Sequence, residues 1–160
     1  MSEMRIGLGY DVHAFAEGRA LVLGGVEIEH PAGLTGHSDA DVLVHALMDA
    51  IFGAMRAGDI GAHFPDTDAA WAGASSIVLL ALVGDLMRAD GWSLVDADTV
   101  LVLESPRISP HRDMMRIRMA EALVVDAALI GLKATTTEGL GATGRGEGVA
   151  AQAVVLLERS

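Results

Sequence analysis

The chain is 160 residues long, 51% hydrophobic and only 4% aromatic, so it fits one domain whose core is mostly Ala, Val, Leu and Ile. A formal charge of -11 excludes nucleic acid and anionic membrane as favoured partners, and a phosphorylated ligand would need cations or aimed donors to overcome that field. With no cysteine, disulfides are excluded, and any metal must be held by His, Asp or Glu.

No basic leader with an apolar run opens the sequence, and no Arg/Ser-rich transit segment does. The longest apolar run, around Ile77 to Val83, is too short to cross a bilayer, and a cytoplasmic location is expected. A single domain over residues 1–160 is expected, since no linker or repeat interrupts the chain.

Arg5 to His13 reads as a glycine-containing strand, and Ala20 to Ile28 as a second strand broken by Gly24-Gly25. A loop follows through Pro31 and Gly33. Ser38 can cap a first helix, with Asp41 three residues on, close to a capping box. That helix runs to about Met55 and stops near Gly58. A long loop covers Asp59 to Gly73, and a second helix fits Ser75 to Ala89, ended by Gly91. Asp98 to Leu103 is a strand. Ser109-Pro110 looks like an N-cap with proline at the first helical position, opening a third helix to about Leu123. Leu129 to Thr136 is a strand, then comes a glycine-rich loop, then Val149 to Leu157 as the last strand. The absence of strict βαβ alternation predicts an α+β fold, a mixed β-sheet covered by helices on one face.

Asp11 and His13 are two apart on a strand, so their side chains share a face and can grip one metal ion; a solvated polar pair is the alternative. His45 lies among Val42, Leu43, Val44, Ala46 and Leu47 on the first helix, in a polar stripe with Asp41 and Asp49 at spacings of four. A buried ionisable group needs a partner. His45 is therefore either a core histidine satisfied by Asp49 or a metal ligand whose ring Asp49 orients. Asp11, His13 and His45 together would form a catalytic two-His, one-carboxylate set with an open position, suited to zinc, manganese or iron. Nothing local says that His45 folds back onto Asp11. His37 precedes the expected cap, where a helix N-terminus favours anions; it is a phosphate holder or a loop residue. His30, His63 and His111 read as surface residues.

Lys133-Ala134-Thr135-Thr136-Thr137-Glu138 ends a strand ahead of Gly139 to Gly148. Hydroxyls and backbone N–H groups there suit phosphate oxygens, and Glu138 suits a hard divalent cation. The other reading is a β-rich strand and a flexible glycine turn. Arg145 and Glu147 flank Gly146 as a local ion pair or as an arginine facing a subunit junction.

Gly9-Tyr10-Asp11-Val12-His13, His37-Ser38-Asp39-Ala40-Asp41-Val42, Asp59-Ile60-Gly61, Phe64-Pro65-Asp66-Thr67-Asp68 and Ala134-Thr135-Thr136-Thr137-Glu138 with Gly144-Arg145-Gly146-Glu147-Gly148 occur in order. In these blocks the chain, from about Met4 to Glu158, resembles the 2-C-methyl-D-erythritol 2,4-cyclodiphosphate synthase family. The resemblance implies a homotrimer with active sites at subunit interfaces. It implies that Asp11, His13 and His45 bind zinc and that His37 and Thr136 stabilise the transition state. Asp11, Val12, His13, His37, Ser38, Asp59, Ile60, Gly61, Phe64, Pro65, Asp66, Thr67 and Asp68 would line the erythritol and phosphate end of the substrate. Leu103, Glu104, Ser105, Pro106, Arg107, Ile108 and Ser109, with Thr135, Thr136, Thr137 and Glu138, would hold cytidine and its diphosphate, and Glu138 would hold magnesium or manganese. Ala142 and Arg145 complete the implied contacts, although the family pattern often has Phe where Ala142 stands, and the loop Glu104 to Ser109 matches poorly in side chains. An isoprenoid diphosphate at the trimer axis is a further candidate partner, and whether Arg145 meets it is left open by the sequence.

The implied reaction is cyclisation of 4-diphosphocytidyl-2-C-methyl-D-erythritol 2-phosphate with release of CMP, in the non-mevalonate route to isoprenoid precursors. The alternatives are a metal-dependent phosphohydrolase using the same ligands and a non-catalytic nucleotide- or isoprenoid-binding regulator on the same scaffold.

Overall fold

The computed structural model describes all residues, 1–160. Seven strands and five helices follow one another as β1 (Glu3–Glu17), β2 (Leu21–Leu23), β3 (Val26–Ile28), β4 (Ala32–Leu34), α1 (Val42–Met55), α2 (Ile60–His63), α3 (Ser76–Ala89), β5 (Trp92–Val102), α4 (Arg112–Leu123), β6 (Ile130–Thr135), α5 (Gly141–Gly144) and β7 (Gly148–Arg159). Five strands form one sheet in the order β4-β1-β7-β5-β6, and β2 pairs with β3 as a separate hairpin. All pairs in the large sheet are antiparallel except β5 with β6, which α4 connects, so the sheet is mixed as expected.

Period-two alternation sorts the faces of the sheet. On β7, Val149, Ala151, Ala153, Val155 and Leu157 are buried, while Gln152 and Val154 are exposed. On β5, Trp92 and Leu94 are buried and then Ala97, Thr99 and Leu101. That change of parity is absorbed by a bulge between Leu94 and Asp96, where one extra residue returns the apolar side chains to the core.

Helix α1 lies on β1 and β7 with ten of its residues buried, the pattern of a helix covered on nearly all sides. It approaches β1 closely because Gly7 and Gly9 carry no side chain. A Cβ at Gly7 would stand 1.8 Å from the Ala50 carbonyl oxygen, and one at Gly9 would stand 1.8 Å from that of Ala46. Gly7, Gly9, Asp11 and His13 share one face of β1. The two glycines seat the helix, and the next two positions along that face meet the helix beside His45.

Several boundaries differ from those the sequence predicts. Asp41, not Ser38, caps α1: its Oδ1 accepts from Val44 N–H, while its two oxygens also accept from Gly24 and Gly25 N–H at 2.9 and 2.7 Å. This carboxylate ties the β2–β3 hairpin to the helix, a long-range bond that outcompetes a local cap. Ser109-Pro110 does not open α4 either; these residues lie in a turn closed by His111 N–H to the Ile108 carbonyl, and the helix starts at Arg112. The expected loop from Asp59 to Gly73 contains α2 and a 3₁₀ turn over Ala69–Trp71, capped by the side chains of Asp59 and Asp68. The loop expected through Pro31 and Gly33 holds the edge strand β4.

Candidate active site

The odd-numbered face of β1 and the first turns of α1 bring Asp11, His13 and His45 together. His13 Nε2 is 2.8 Å from Asp11 Oδ2, His45 Nδ1 is 3.2 Å from the same oxygen, and the two nitrogens are 3.4 Å apart. All three donor atoms lie within 4.8 Å of one another, a spacing that one cation can bridge.

The hydrogen bonds on the far side of each ring decide which nitrogen carries a lone pair. His13 Nδ1 faces the Thr35 carbonyl at 2.6 Å. A carbonyl only accepts, so Nδ1 is protonated and Nε2 of neutral His13 offers its lone pair to the site. His45 Nε2 faces the hydroxyls of Ser76 at 3.0 Å and Ser38 at 3.2 Å, leaving Nδ1 toward Asp11. Two lone pairs and a carboxylate oxygen aimed at one point repel each other unless a cation or protons sit between them. The donor set therefore fits a metal ion.

Where the imidazoles are charged and no metal is bound, protons take that role. Burial works to raise the Asp11 pKa, but hydrogen bonds from His13 and His45 outweigh it and hold the carboxyl at about 2. Burial works to lower the His13 pKa, but the bond to Asp11 and its charge push it up. Asp49 does not orient His45: its carboxylate accepts from Ile60 N–H at 3.2 Å, and its pKa is raised by burial. Asp41 is also turned away, toward the glycine hairpin. Burial, against the three backbone donors, pushes its pKa up to about 6.

A cavity of about 370 Å³ opens beside the triad, lined by His13, His37, Ser38, His45, Ile60, Gly61, Phe64, Pro65 and Asp66. Gly36, Trp71 and Leu79 complete the wall, and none of these three is picked out by the sequence reading. The ring of Trp71 meets Phe64 edge-on, with centroids 5.1 Å apart. His37 is exposed, four residues ahead of the Asp41 cap rather than beside it, and its Nε2 donates to the Asp68 carbonyl at 3.2 Å. Arg19 pins the segment carrying His37 by donating to the carbonyls of Gly36 and Ser38, each at 2.6 Å.

A second cavity, of about 530 Å³, gathers Leu103, Glu104, Pro106, Arg107, Ile108, Ser109, Ala134, Thr135, Thr136 and Glu138. Glu104 Oε1 accepts from Thr137 N–H at 3.2 Å and Gly139 N–H at 3.4 Å, tying its two loops together. His13 pairs across to Val149 on β7, whose neighbour Ala150 pairs with Val102, which pairs with Thr135. The two cavities therefore sit at one end of the sheet, three strand spacings apart, roughly 14 Å. His37 and Thr136 line separate cavities within one chain.

Other expected site residues line neither cavity. Val12 points to the opposite sheet face, Asp59 and Asp68 serve as caps, and Thr67 and Ser105 lie in adjoining turns. Thr137 bonds to Thr143, and Ala142 lies in the short α5. Arg145 forms an exposed ion pair with Glu147 at 2.6 Å. His63 is not a plain surface residue: its ring stacks on Phe52 at 4.0 Å and bonds to the Ala57 carbonyl.

A two-histidine, one-carboxylate cluster open to a cavity is the arrangement of a metal-assisted enzyme site. The chain belongs to the YgbB family, which it matches over residues 4–158. It is 55% identical over 159 residues to the 2-C-methyl-D-erythritol 2,4-cyclodiphosphate synthase of Synechococcus elongatus, covering 99% of each chain. A solved 2C-methyl-D-erythritol-2,4-cyclodiphosphate synthase in its CDP-bound form is 43% identical, with a TM-score of 0.87 over 96% of this chain and 99% of that one. The bifunctional IspDF of Campylobacter jejuni superimposes with a TM-score of 0.96 at 42% identity, covering all of this chain and 43% of that one. No helix is long and apolar enough to cross a membrane.

Proposed function

We propose that the chain is a lyase that cyclises 4-diphosphocytidyl-2-C-methyl-D-erythritol 2-phosphate to 2-C-methyl-D-erythritol 2,4-cyclodiphosphate, releasing CMP for isoprenoid precursor biosynthesis. The observation that carries this reading is the convergence of Asp11, His13 and His45 at the mouth of a cavity walled by His37, Ser38 and the Ile60 to Asp66 segment. The relatives and the CDP-bound neighbour supply the reaction and the nucleotide.

In the reaction, a 2-phosphate oxygen attacks the β-phosphorus of the same molecule, and the bond from that phosphorus to the oxygen bridging it to the α-phosphate breaks. Nucleophile and electrophile are already linked, so the protein's task is to fold the substrate and balance its charge. Asp11, His13 and His45 would hold zinc and Glu138 magnesium or manganese, which when bound polarise the phosphate oxygens and neutralise charge on the leaving CMP. The wall of Ile60, Phe64 and Trp71 gives the erythritol methyl an apolar surface, and Ser38 and Asp66 offer polar contacts. His37 would donate toward the phosphate end once its Nε2–H leaves the Asp68 carbonyl. Thr135, Thr136 and the backbone N–H groups of that strand end receive the diphosphate, while the Leu103 to Ser109 loop cradles the cytosine, partly through main-chain groups.

His37 and Thr136 line separate cavities within one chain, so a site that uses both is completed most simply by a neighbouring subunit, in line with the homotrimer implied by the resemblance. The uncovered sheet face supports it further. Met4, Ile6, Leu8, Tyr10 and Val12 of β1 and Val154 of β7 are all exposed there, a contiguous apolar patch of the kind buried by association. The test is ³¹P NMR of the purified chain with zinc and magnesium: substrate signals give way to those of a cyclic diphosphate and CMP. Release of a linear product carrying solvent oxygen would instead establish the phosphohydrolase.

A further inference from the structure

We propose that Ser76 and Asp39 are positioning residues that fix the tautomer of His45 and so aim its Nδ1 lone pair at the site. This inference rests on the metal reading of Asp11, His13 and His45. Ser76 is fully buried at the first position of α3, thirty-one residues from His45 in sequence, and its hydroxyl is 3.0 Å from His45 Nε2. The direction of that bond follows from what lies behind it. The Ser76 hydroxyl donates to Asp39 Oδ1, and Ser76 N–H donates to Asp39 Oδ2 at 3.0 Å. Asp39 Oδ1 also accepts from Asp41 N–H, so the carboxylate is held in place by the α1 cap. A carboxylate accepts and cannot donate, so the Ser76 proton is committed to Asp39. The Ser76 oxygen then has only lone pairs to offer His45, so the bond between them forms with the proton on Nε2; the Ser38 hydroxyl, 3.2 Å from the same nitrogen, can accept from it as well. Nδ1 is left unprotonated, facing Asp11 and His13. Metal-bound histidines commonly have such a partner on the other nitrogen, most simply a carboxylate or a carbonyl. Thr35 supplies the simple form to His13. His45 has a longer version, in which a serine carries the influence of a carboxylate to the ring.

The test uses the full chain with ¹⁵N-labelled histidine, metal-free, at about pH 8.5 where imidazoles are neutral. In the parent protein the His45 signals should be those of the Nε2–H form, the Ser76 and Asp39 relay outweighing the pull of the Asp11 carboxylate on Nδ1. Ser76→Ala should give a mixture of tautomers and lower zinc affinity about 10- to 100-fold by chelator competition, while Ser76→Thr, which keeps the hydroxyl, should preserve both. Asp39→Asn removes the charge and turns one of the two acceptor oxygens into a donor at constant volume, and should shift both readouts the same way; it stands in if Ser76→Ala does not fold. The proposal is overturned if His45 keeps a pure Nε2–H form in these variants, whether affinity holds or falls; a fall alone would mark a packing effect. A parent chain that binds no zinc would sink the metal reading, and the tautomer measurement would still judge the relay.

Discussion

The two cavities at one end of the sheet are built in opposite ways. The first rests on a strand and a helix in backbone contact, with both imidazoles of the triad held by hydrogen bonds behind them. The second is made of two loops, Glu104 to Ser109 and the segment after Thr135, joined chiefly by the Glu104 carboxylate. The first is suited to electrophilic chemistry, which tolerates little misplacement; the second is suited to recognition through main-chain groups, where side chains vary and loops adjust.

The sharpest way to break this contrast is His45→Ala. Bound zinc should be lost and CMP release should fall to background while the chain stays folded, as metal analysis and circular dichroism would show; turnover by a metal-free variant would remove the reason for the rigid half. Gly9→Ala comes next. Its Cβ would collide with the Ala46 carbonyl, forcing α1 off β1, and we expect a loss of about 3 kcal/mol, near the upper end for overpacking, measured by urea unfolding. Weaker zinc binding should accompany it, although residue 9 touches no ligand.

A smaller effect should appear with pH. The contribution of Asp11, whose pKa is depressed to about 2, is present above its unfolded value and lost as pH falls toward 2. That of His13, whose pKa is raised, is present below its unfolded value and lost as pH rises. The pair therefore steadies the metal-free chain most between the ordinary aspartate and histidine ranges. Zinc requires unprotonated imidazoles, so the rise in Tm on adding zinc should grow from pH 5 to pH 8. A rise independent of pH would place the ion elsewhere. The mildest change belongs to the loop cavity: Glu104→Ala should raise KM several-fold at nearly constant kcat and cost about 1 kcal/mol or less, since the freed N–H groups are exposed to water.

The two halves also differed in how far the sequence exposed them. Period two put Asp11 and His13 on one face, and an isolated histidine in an apolar helix marked His45, because both patterns are local. The helix spacing of four pointed equally to Asp49 as its partner. The rotation of α1 instead sends Asp49 to Ile60, and the partner comes from Ser76 on another helix, with no signal near His45. Ser38 and Asp41 are both good caps by type, and only the folded hairpin at Gly24-Gly25 decides for Asp41. The loop cavity carried almost no local signal. A threonine run is ordinary strand sequence, so its reading as a phosphate site stands level with a plain strand and turn until the family resemblance is added. The bulge near Asp96 is likewise hidden, so the sequence predicts too short a β5.

The missing β-carbons at residues 7 and 9 have a consequence for the ligand set. The gap between the strand that bears one imidazole and the helix that bears the other is a peptide-to-peptide contact with no compressible methyl in between, so it works as a fixed gauge. The spacing of the two imidazoles along this contact is set in part by two glycines that touch neither ring.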